Sequence, residues 1–347
     1  MNNKKILVTG GLGFIGSHTV VALINKGFKV IIIDNLSNCH TEVLNGIQKI
    51  TGETPEFHEI DLREKKKVKQ FFEKNDDLLG IIHFAASKSV GESIKKPLMY
   101  YENNLCGLLN ILSFQSSSNL IFSSSCTVYG EADKLPISEN APIKKAESPY
   151  GNTKQIGEEI IRDFCRVEND FKAIALRYFN PIGAHSSAEI GELPLGTPQN
   201  LIPYITQTAI GQREYLSVFG NDYFTVDGTP VRDYIHVMDL AEAHVAALNH
   251  LIEGKEETNY EVFNLGTGRG NSVLQVIRSF EKATGQQLFY KVENRREGDI
   301  TAAYANVEKA NKKLGWQAVR SLEESLKSAW EWQKRCVKHK KYRLYFL

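Results

Sequence analysis

Lys5-Ile6-Leu7-Val8-Thr9-Gly10-Gly11-Leu12-Gly13-Phe14-Ile15-Gly16 is the stretch that decides the fold. An apolar run enters a glycine turn, and the turn opens a helically periodic segment, 15–26, giving strand, tight turn and helix in that order. Glycines at 10, 13 and 16 let the backbone approach a pyrophosphate, whose charge then sits at the helix amino end. A glycine cluster alone is weak evidence, but the next strand, Phe28-Lys29-Val30-Ile31-Ile32-Ile33, ends in Asp34. That acid stands roughly twenty residues further on, where a carboxylate accepts from adenosine ribose hydroxyls. It repels a 2′-phosphate, and no Arg or Lys directly follows it, so the fingerprint favours NAD over NADP.

Outward from this unit, strands and helices alternate. Runs 6–8, 28–33, 56–60, 80–84, 120–124 and 171–176 read as strands with helical patterns between them. That rhythm predicts an α/β fold, a doubly wound parallel sheet of Rossmann type. Asp61, Ala85-Ala86-Ser87 and Ser123-Ser124-Ser125 fall just after carboxyl ends of these strands, where such sheets bind ligands. Beyond Asn180 a Gly- and Pro-bearing loop, 181–198, leads into shorter elements without a regular βα rhythm. We therefore expect an NAD-binding domain over 1–180 and a smaller α/β substrate-binding lobe over 181–347, with some segments returning to the first domain. Gly266-Thr267-Gly268-Arg269-Gly270 reads as a loop of that second lobe.

Composition sets limits on partners. The 347 residues are 42% hydrophobic and 24% charged, with a formal charge of +1, which offers no overall attraction to nucleic acid or anionic membranes. Lys65-Lys66-Lys67 reads as a solvated helix face, and the basic cluster from Lys338 to Arg343 as a frayed tail. The five cysteines, Cys39, Cys106, Cys126, Cys165 and Cys336, show no metal-ligand spacing and imply reduced thiols; no metal site is expected. The chain shows no cleavable apolar leader and no membrane-length run, so a cytoplasmic location is expected.

Chemistry concentrates in Ser148-Pro149-Tyr150-Gly151-Asn152-Thr153-Lys154. A phenol and an ammonium four residues apart on a helix share one face. A free tyrosine titrates near ~10, and bringing it near ~7 takes roughly 4 kcal/mol of differential stabilisation of the phenolate, much of which a neighbouring ammonium can supply.

Together, the glycine fingerprint, Ser125 within Ser-Ser-Ser-Cys-Thr-Val-Tyr-Gly, and the Tyr150/Lys154 pair resemble the extended short-chain dehydrogenase/reductase family. Segments 83–93, 176–185 and 231–239 look like those of the UDP-glucose 4-epimerase family within it, and the likeness runs from Lys4 to about Trp332. It implies that Tyr150 is the catalytic base, that Lys154 lowers its pKa and holds the nicotinamide ribose, and that Ser125 hydrogen-bonds the sugar oxygen. Oxidation at C4, turning of a 4-keto sugar and return of the hydride would interconvert UDP-glucose and UDP-galactose on tightly bound NAD. The resemblance places cofactor contacts on Gly10, Gly13, Phe14, Ile15, Gly16, Asp34, Asn35, Asp61, Leu62, Phe84, Ala85, Ala86, Lys88, Asn103, Ser125, Tyr150, Lys154 and Phe179. It places UDP-sugar contacts on Lys88, Ser125, Tyr150, Asn180, Asn200, Leu201, Phe219, Arg232, Arg296, Asp299 and Ala303. Two arginines facing one diphosphate make physical sense, since each offers a bidentate fork. His236 reads as structural. The likeness also implies a homodimer built from helices around 98–112 and 155–166.

Ala303 replaces the bulky tyrosine that some family members carry against the sugar's C2 substituent. The space opened predicts an additional activity on UDP-N-acetylglucosamine and UDP-N-acetylgalactosamine. Three alternatives stand beside the hexose epimerase: an epimerase of UDP-xylose or UDP-glucuronate, a 4,6-dehydratase, and an inert NAD-sensing protein. Dehydratases resemble one another in an Asp-Glu pair after the active-site Ser/Thr, where this chain has Cys126-Thr127. A sensor has no need of a poised base.

Overall fold

The computed structural model describes residues 5–338 except 116, 199 and 297. Seven parallel strands form the central sheet, in the order Tyr260–Leu265, Lys172–Tyr178, Asn119–Ser125, Leu78–His83, Lys5–Thr9, Lys29–Asp34 and Glu56–Glu59. Six of them lie where the apolar runs predict strands, with ends shifted by a residue or two. The seventh, Tyr-Glu-Val-Phe-Asn-Leu, comes from the part of the chain read as the second lobe, and it pairs in register with 173–178.

Side chains alternate across this sheet with period two. Ile6, Val8 and Ile32 enter one apolar cluster with Val20, Leu23, Leu240 and Leu248 from helices Phe14–Asn25 and Val237–Ile252. Leu7, Ile31 and Ile33 enter the other, with Val68, Leu108 and Ile161 from helices Lys65–Lys74, Gly107–Phe114 and Pro149–Val167. Burial on both faces explains why these strands read as unbroken apolar runs. Each fully buried aliphatic side chain contributes roughly 1.5–3 kcal/mol.

Strand order reverses at Lys5–Thr9. The chain first steps outward to Lys29–Asp34 and Glu56–Glu59, then returns to Leu78–His83 on the other side. The reversal opens a crevice at the carboxyl ends of these strands, the place where doubly wound sheets hold ligands.

Across that crevice, helices Leu201–Ala209, Val273–Thr284 and Leu322–Lys338 gather around Ile205, Val276, Phe280, Leu326 and Trp330. Short strands edge this region: Leu216–Phe219 pairs with Tyr290–Glu293, and Val231–Arg232 with both Asn271–Ser272 and Ala302–Ala303. The loop 266–270 directly follows the seventh sheet strand, so it joins the sheet to this lobe. Among the described residues, no helix is long and apolar enough to cross a membrane. From residue 339 onward, the basic cluster read at the C-terminus lies outside the described residues.

Candidate active site

The glycine turn forms one wall of the crevice. Gly10 has φ +69°, and a Cβ there would lie 2.7 Å from the Ala85 backbone nitrogen; a Cβ on Gly16 would lie 2.2 Å from the Gly10 carbonyl oxygen. Packing of turn against strand therefore requires glycine at both positions. Gly13 differs, since its Cβ would meet only the Gly10 carbonyl oxygen, at 3.3 Å. Gly13 caps helix Phe14–Asn25 without a side-chain hydrogen bond, and no acid stands in the first turn. The open amide groups at that helix end suit a phosphate. Phe14, Ile15 and Phe84 are only half-buried despite being apolar.

At the next strand end, Asp34 accepts from the Leu12 amide at 3.1 Å and the Leu36 amide at 3.1 Å, which ties the glycine turn to the acid that faces it. Asn35 donates to Asp61, and Arg63 holds the Asp61 carboxyl down at about 2 through a direct hydrogen bond. Leu62 is buried beneath, against Gly107. Asn103 lies in a short π-helical stretch, Glu102–Cys106, where it donates to the Ser87 hydroxyl at 3.2 Å. Its neighbour Asn104, which sequence reading missed, accepts from the Ser87 amide and donates to Thr153 on the Tyr150 helix. π-Helical turns of this kind recur at functional sites.

Ser148 caps helix Pro149–Val167 by accepting from the Gly151 amide, and Pro149 occupies the first turn, so the helix begins immediately before Tyr150. Ser125, at the end of its sheet strand, hydrogen-bonds Tyr150. Lys154 is 4% exposed and its Nζ donates to the Ser123 carbonyl at 2.5 Å, 5.9 Å from the Tyr150 ring centroid. Burial lowers the Lys154 pKa to about 8, partly offset by the Glu158 carboxylate one turn on. Tyr150 itself is pushed above its ordinary value, first by loss of hydration and then by the neighbouring Tyr178 phenol. The expectation that Lys154 brings the phenol toward neutrality is thus not met by the protein's own groups, because desolvation outweighs an ammonium turned toward a carbonyl. Tyr178 was not read from the sequence as a site residue; its hydroxyl pairs with that of Ser123. Behind the helix, Glu158 accepts from Arg177 Nε at 2.8 Å and from Ser124 at 2.5 Å, a buried ion pair with both side chains 4% exposed.

The opposite wall carries the remaining residues. Arg232 and Arg296 both approach Asp299, at 3.9 and 3.1 Å, and the Arg296 guanidinium lies 4.8 Å over the Phe219 ring. Tyr234, absent from the sequence reading, feels the same charges. Asn180 is half-buried at the start of its short strand. Asn200 precedes helix Leu201–Ala209 and donates to Glu192 Oε1 at 2.6 Å; the same oxygen accepts from Lys88 at 3.2 Å, so Glu192 links a cofactor-side to a sugar-side candidate. Ala303 is buried in the same apolar cluster as Phe179, which Cys126 packs against. Asp233, beside Arg232, is fully buried and accepts from the Thr267 amide and hydroxyl, the Gly268 amide and the Ala305 amide. His236 caps helix Val237–Ile252 by accepting from the Met238 amide, a structural role.

With this geometry in place, the relatives are informative. A protein-family model described as GDP-mannose 4,6 dehydratase matches residues 7–329. The UDP-glucose 4-epimerase of Bos taurus is 49% identical over 340 residues, which span 95% of this chain and 97% of that protein. The chain belongs to the UDP-glucose 4-epimerase family. Two solved family structures superpose closely. A UDP-glucose 4-epimerase from Stenotrophomonas maltophila, with bound NAD and formylated UDP-arabinopyranose, gives a TM-score of 0.92 at 43% identity, over 96% of this chain and 99% of that one. The enzyme from Bifidobacterium longum, in complex with NAD+ and UDP, gives 0.91 at 43% identity, over 96% and 98%.

Proposed function

We propose that the chain interconverts UDP-glucose and UDP-galactose by epimerisation at C4, with NAD retained throughout. The observation that carries this reading is the convergence of Ser125, Tyr150 and Lys154 on the crevice where the sheet reverses, opposite Arg232 and Arg296. The residues fit the cofactor: the uncapped helix end at Gly13 suits its pyrophosphate, and Asp34 and Asp61 stand where its ribose would lie. NAD supplies the hydride acceptor and donor for the sugar carbon. Tyr150, as the phenolate, takes the proton of the 4-hydroxyl and returns it to that oxygen after the 4-keto sugar has turned its other face toward the cofactor. Lys154 stabilises the phenolate present before the proton is taken and after it is given back, and Ser125 donates to the sugar oxygen. Arg232 and Arg296 hold the diphosphate while the sugar turns, exchanging their shared partner Asp299 for phosphate oxygens. In this division of labour, residues 1–180 carry the cofactor and most of 181–347 the nucleotide-sugar.

Burial pushes the Cys126 thiol up to about 12, and Thr127 offers only a hydroxyl. Neither is an acid able to protonate a leaving hydroxyl, which favours epimerisation over dehydration. Ala303, buried in the same apolar cluster as Phe179, leaves a methyl where a phenol would fill the wall, and this supports acceptance of the N-acetylated UDP-hexosamines. The purified protein, incubated separately with UDP-galactose and UDP-N-acetylgalactosamine without added NAD, is expected to convert both. Conversion of the plain sugar alone would refute the wider pocket, and conversion of neither would refute the epimerase reading. Loss of the acetamido activity alone in Ala303→Tyr would tie specificity to this position. The chain also acts as a homodimer in this reading, supported by Leu98, 81% exposed on the helix that packs against Pro149–Val167.

A further inference from the structure

Tyr223 is 5% exposed, and its hydroxyl is a buried polar atom without a hydrogen-bond partner among the described residues. Leaving such a group unpaired is costly, so a well-built position implies a partner that arrives from outside the chain. The ring is held firmly. The Arg295 guanidinium lies 3.9 Å over it, Arg295 Nε donates to the Asp222 carboxylate at 2.7 Å and Nη2 to the Asp222 carbonyl at 2.7 Å. A Cβ on Gly220 would lie 2.5 Å from the ring, so the glycine after Phe219 makes room for it. The phenol also lies within the fields of Asp299, Arg232 and Arg296. Consecutive arginines thus stack on two aromatics four residues apart, Arg296 on Phe219 and Arg295 on Tyr223.

We propose that the Tyr223 hydroxyl is a further substrate contact, donating a hydrogen bond to the diphosphate of the bound UDP-sugar beside Arg232 and Arg296, with Arg295 and Asp222 as positioning residues that fix the ring. This inference rests on the UDP-sugar reading above. A neutral donor near these guanidinium groups adds a directional contact without adding charge, which suits a diphosphate that must stay fixed while the sugar turns.

The test is calorimetric titration of UDP, and separately of uridine, into the NAD-loaded wild type and Tyr223→Phe, with thermal unfolding of each protein before addition. UDP affinity should fall about 10-fold in Tyr223→Phe, since a hydrogen bond to a charged group is lost. Uridine affinity should be unchanged, and the unfolding midpoint should be no lower than wild type, because the hydroxyl has no partner among the described residues to lose. Equal UDP affinity in both proteins would overturn the proposal, as would a parallel loss for uridine or a lowered midpoint. Failure of the wild type to bind UDP would instead overturn the UDP-sugar reading, and this inference with it.

Discussion

Lys154→Met should stabilise the protein while abolishing its turnover. The ammonium is 4% exposed, and burial takes its pKa from 10.5 to about 8. That drop corresponds to about 3 kcal/mol of penalty on the charged form at neutral pH. The bond from Nζ to the Ser123 carbonyl offsets about 1 kcal/mol of it, leaving a net gain of about 2 kcal/mol when a methionine of similar volume replaces the lysine. Below about pH 8 the lysine is protonated both folded and unfolded, and the full penalty applies. Between about pH 8 and 10.5 the unfolded chain holds a proton that the folded chain has released, so wild-type stability rises with pH and the advantage of the variant shrinks. Guanidinium unfolding of the nucleotide-free proteins at pH 7 and pH 10 reads both effects. A variant less stable than wild type at pH 7, or an advantage undiminished at pH 10, would refute the assignment of Lys154 as a desolvated cation kept for chemistry at the expense of stability.

Arg177→Met strands the Glu158 carboxylate and should cost about 3–5 kcal/mol in the same unfolding measurement, with Glu158→Leu/Arg177→Met recovering most of it. Gly16→Ala sets a methyl 2.2 Å from the Gly10 carbonyl oxygen, so the purified variant should carry no NAD by absorbance after acid release. Tyr150→Phe should lose epimerisation by at least about 100-fold while keeping UDP affinity within a factor of about two, measured by product chromatography and titration. Leu98→Glu should shift sedimentation velocity from dimer to monomer, because it places a charge on an exposed apolar position of the expected interface.

Fold and site were legible to different depths. Five of the six strands read from the sequence are largely apolar runs, and the glycine turn announces itself through the close approach of Gly16 to Gly10, six residues away, although Gly10 also packs against Ala85. The strand Tyr260–Leu265 was not legible, because its six residues become a strand only by pairing with Lys172–Tyr178, far away in sequence. Residues with chemistry of their own, such as Tyr150 and Lys154, stood out by spacing. Tyr178, Tyr234 and Asn104 did not, since a phenol within an apolar strand or an amide within a helix looks like packing until the fold turns it toward the crevice. Glu192 lies in an irregular segment with no periodicity to reveal its orientation. The sign of the Tyr150 shift depends on how much water the surrounding residues remove, a three-dimensional quantity that the spacing of Tyr150 and Lys154 does not carry.

Asp233 binds four donors from two separate segments of chain, and it sits directly between Arg232 and Tyr234. The backbone bearing Arg232, the loop after the seventh strand and the segment just after Ala303 are therefore pinned to one carboxylate. A wall tied in this way does not flex to accept a new sugar; it admits one only when a side chain is exchanged for a smaller or larger one. Substrate range in this protein should then change by substitution at single wall positions, and libraries aimed at new UDP-sugars should hold the residues around Asp233 constant while varying the side chains that face the pocket.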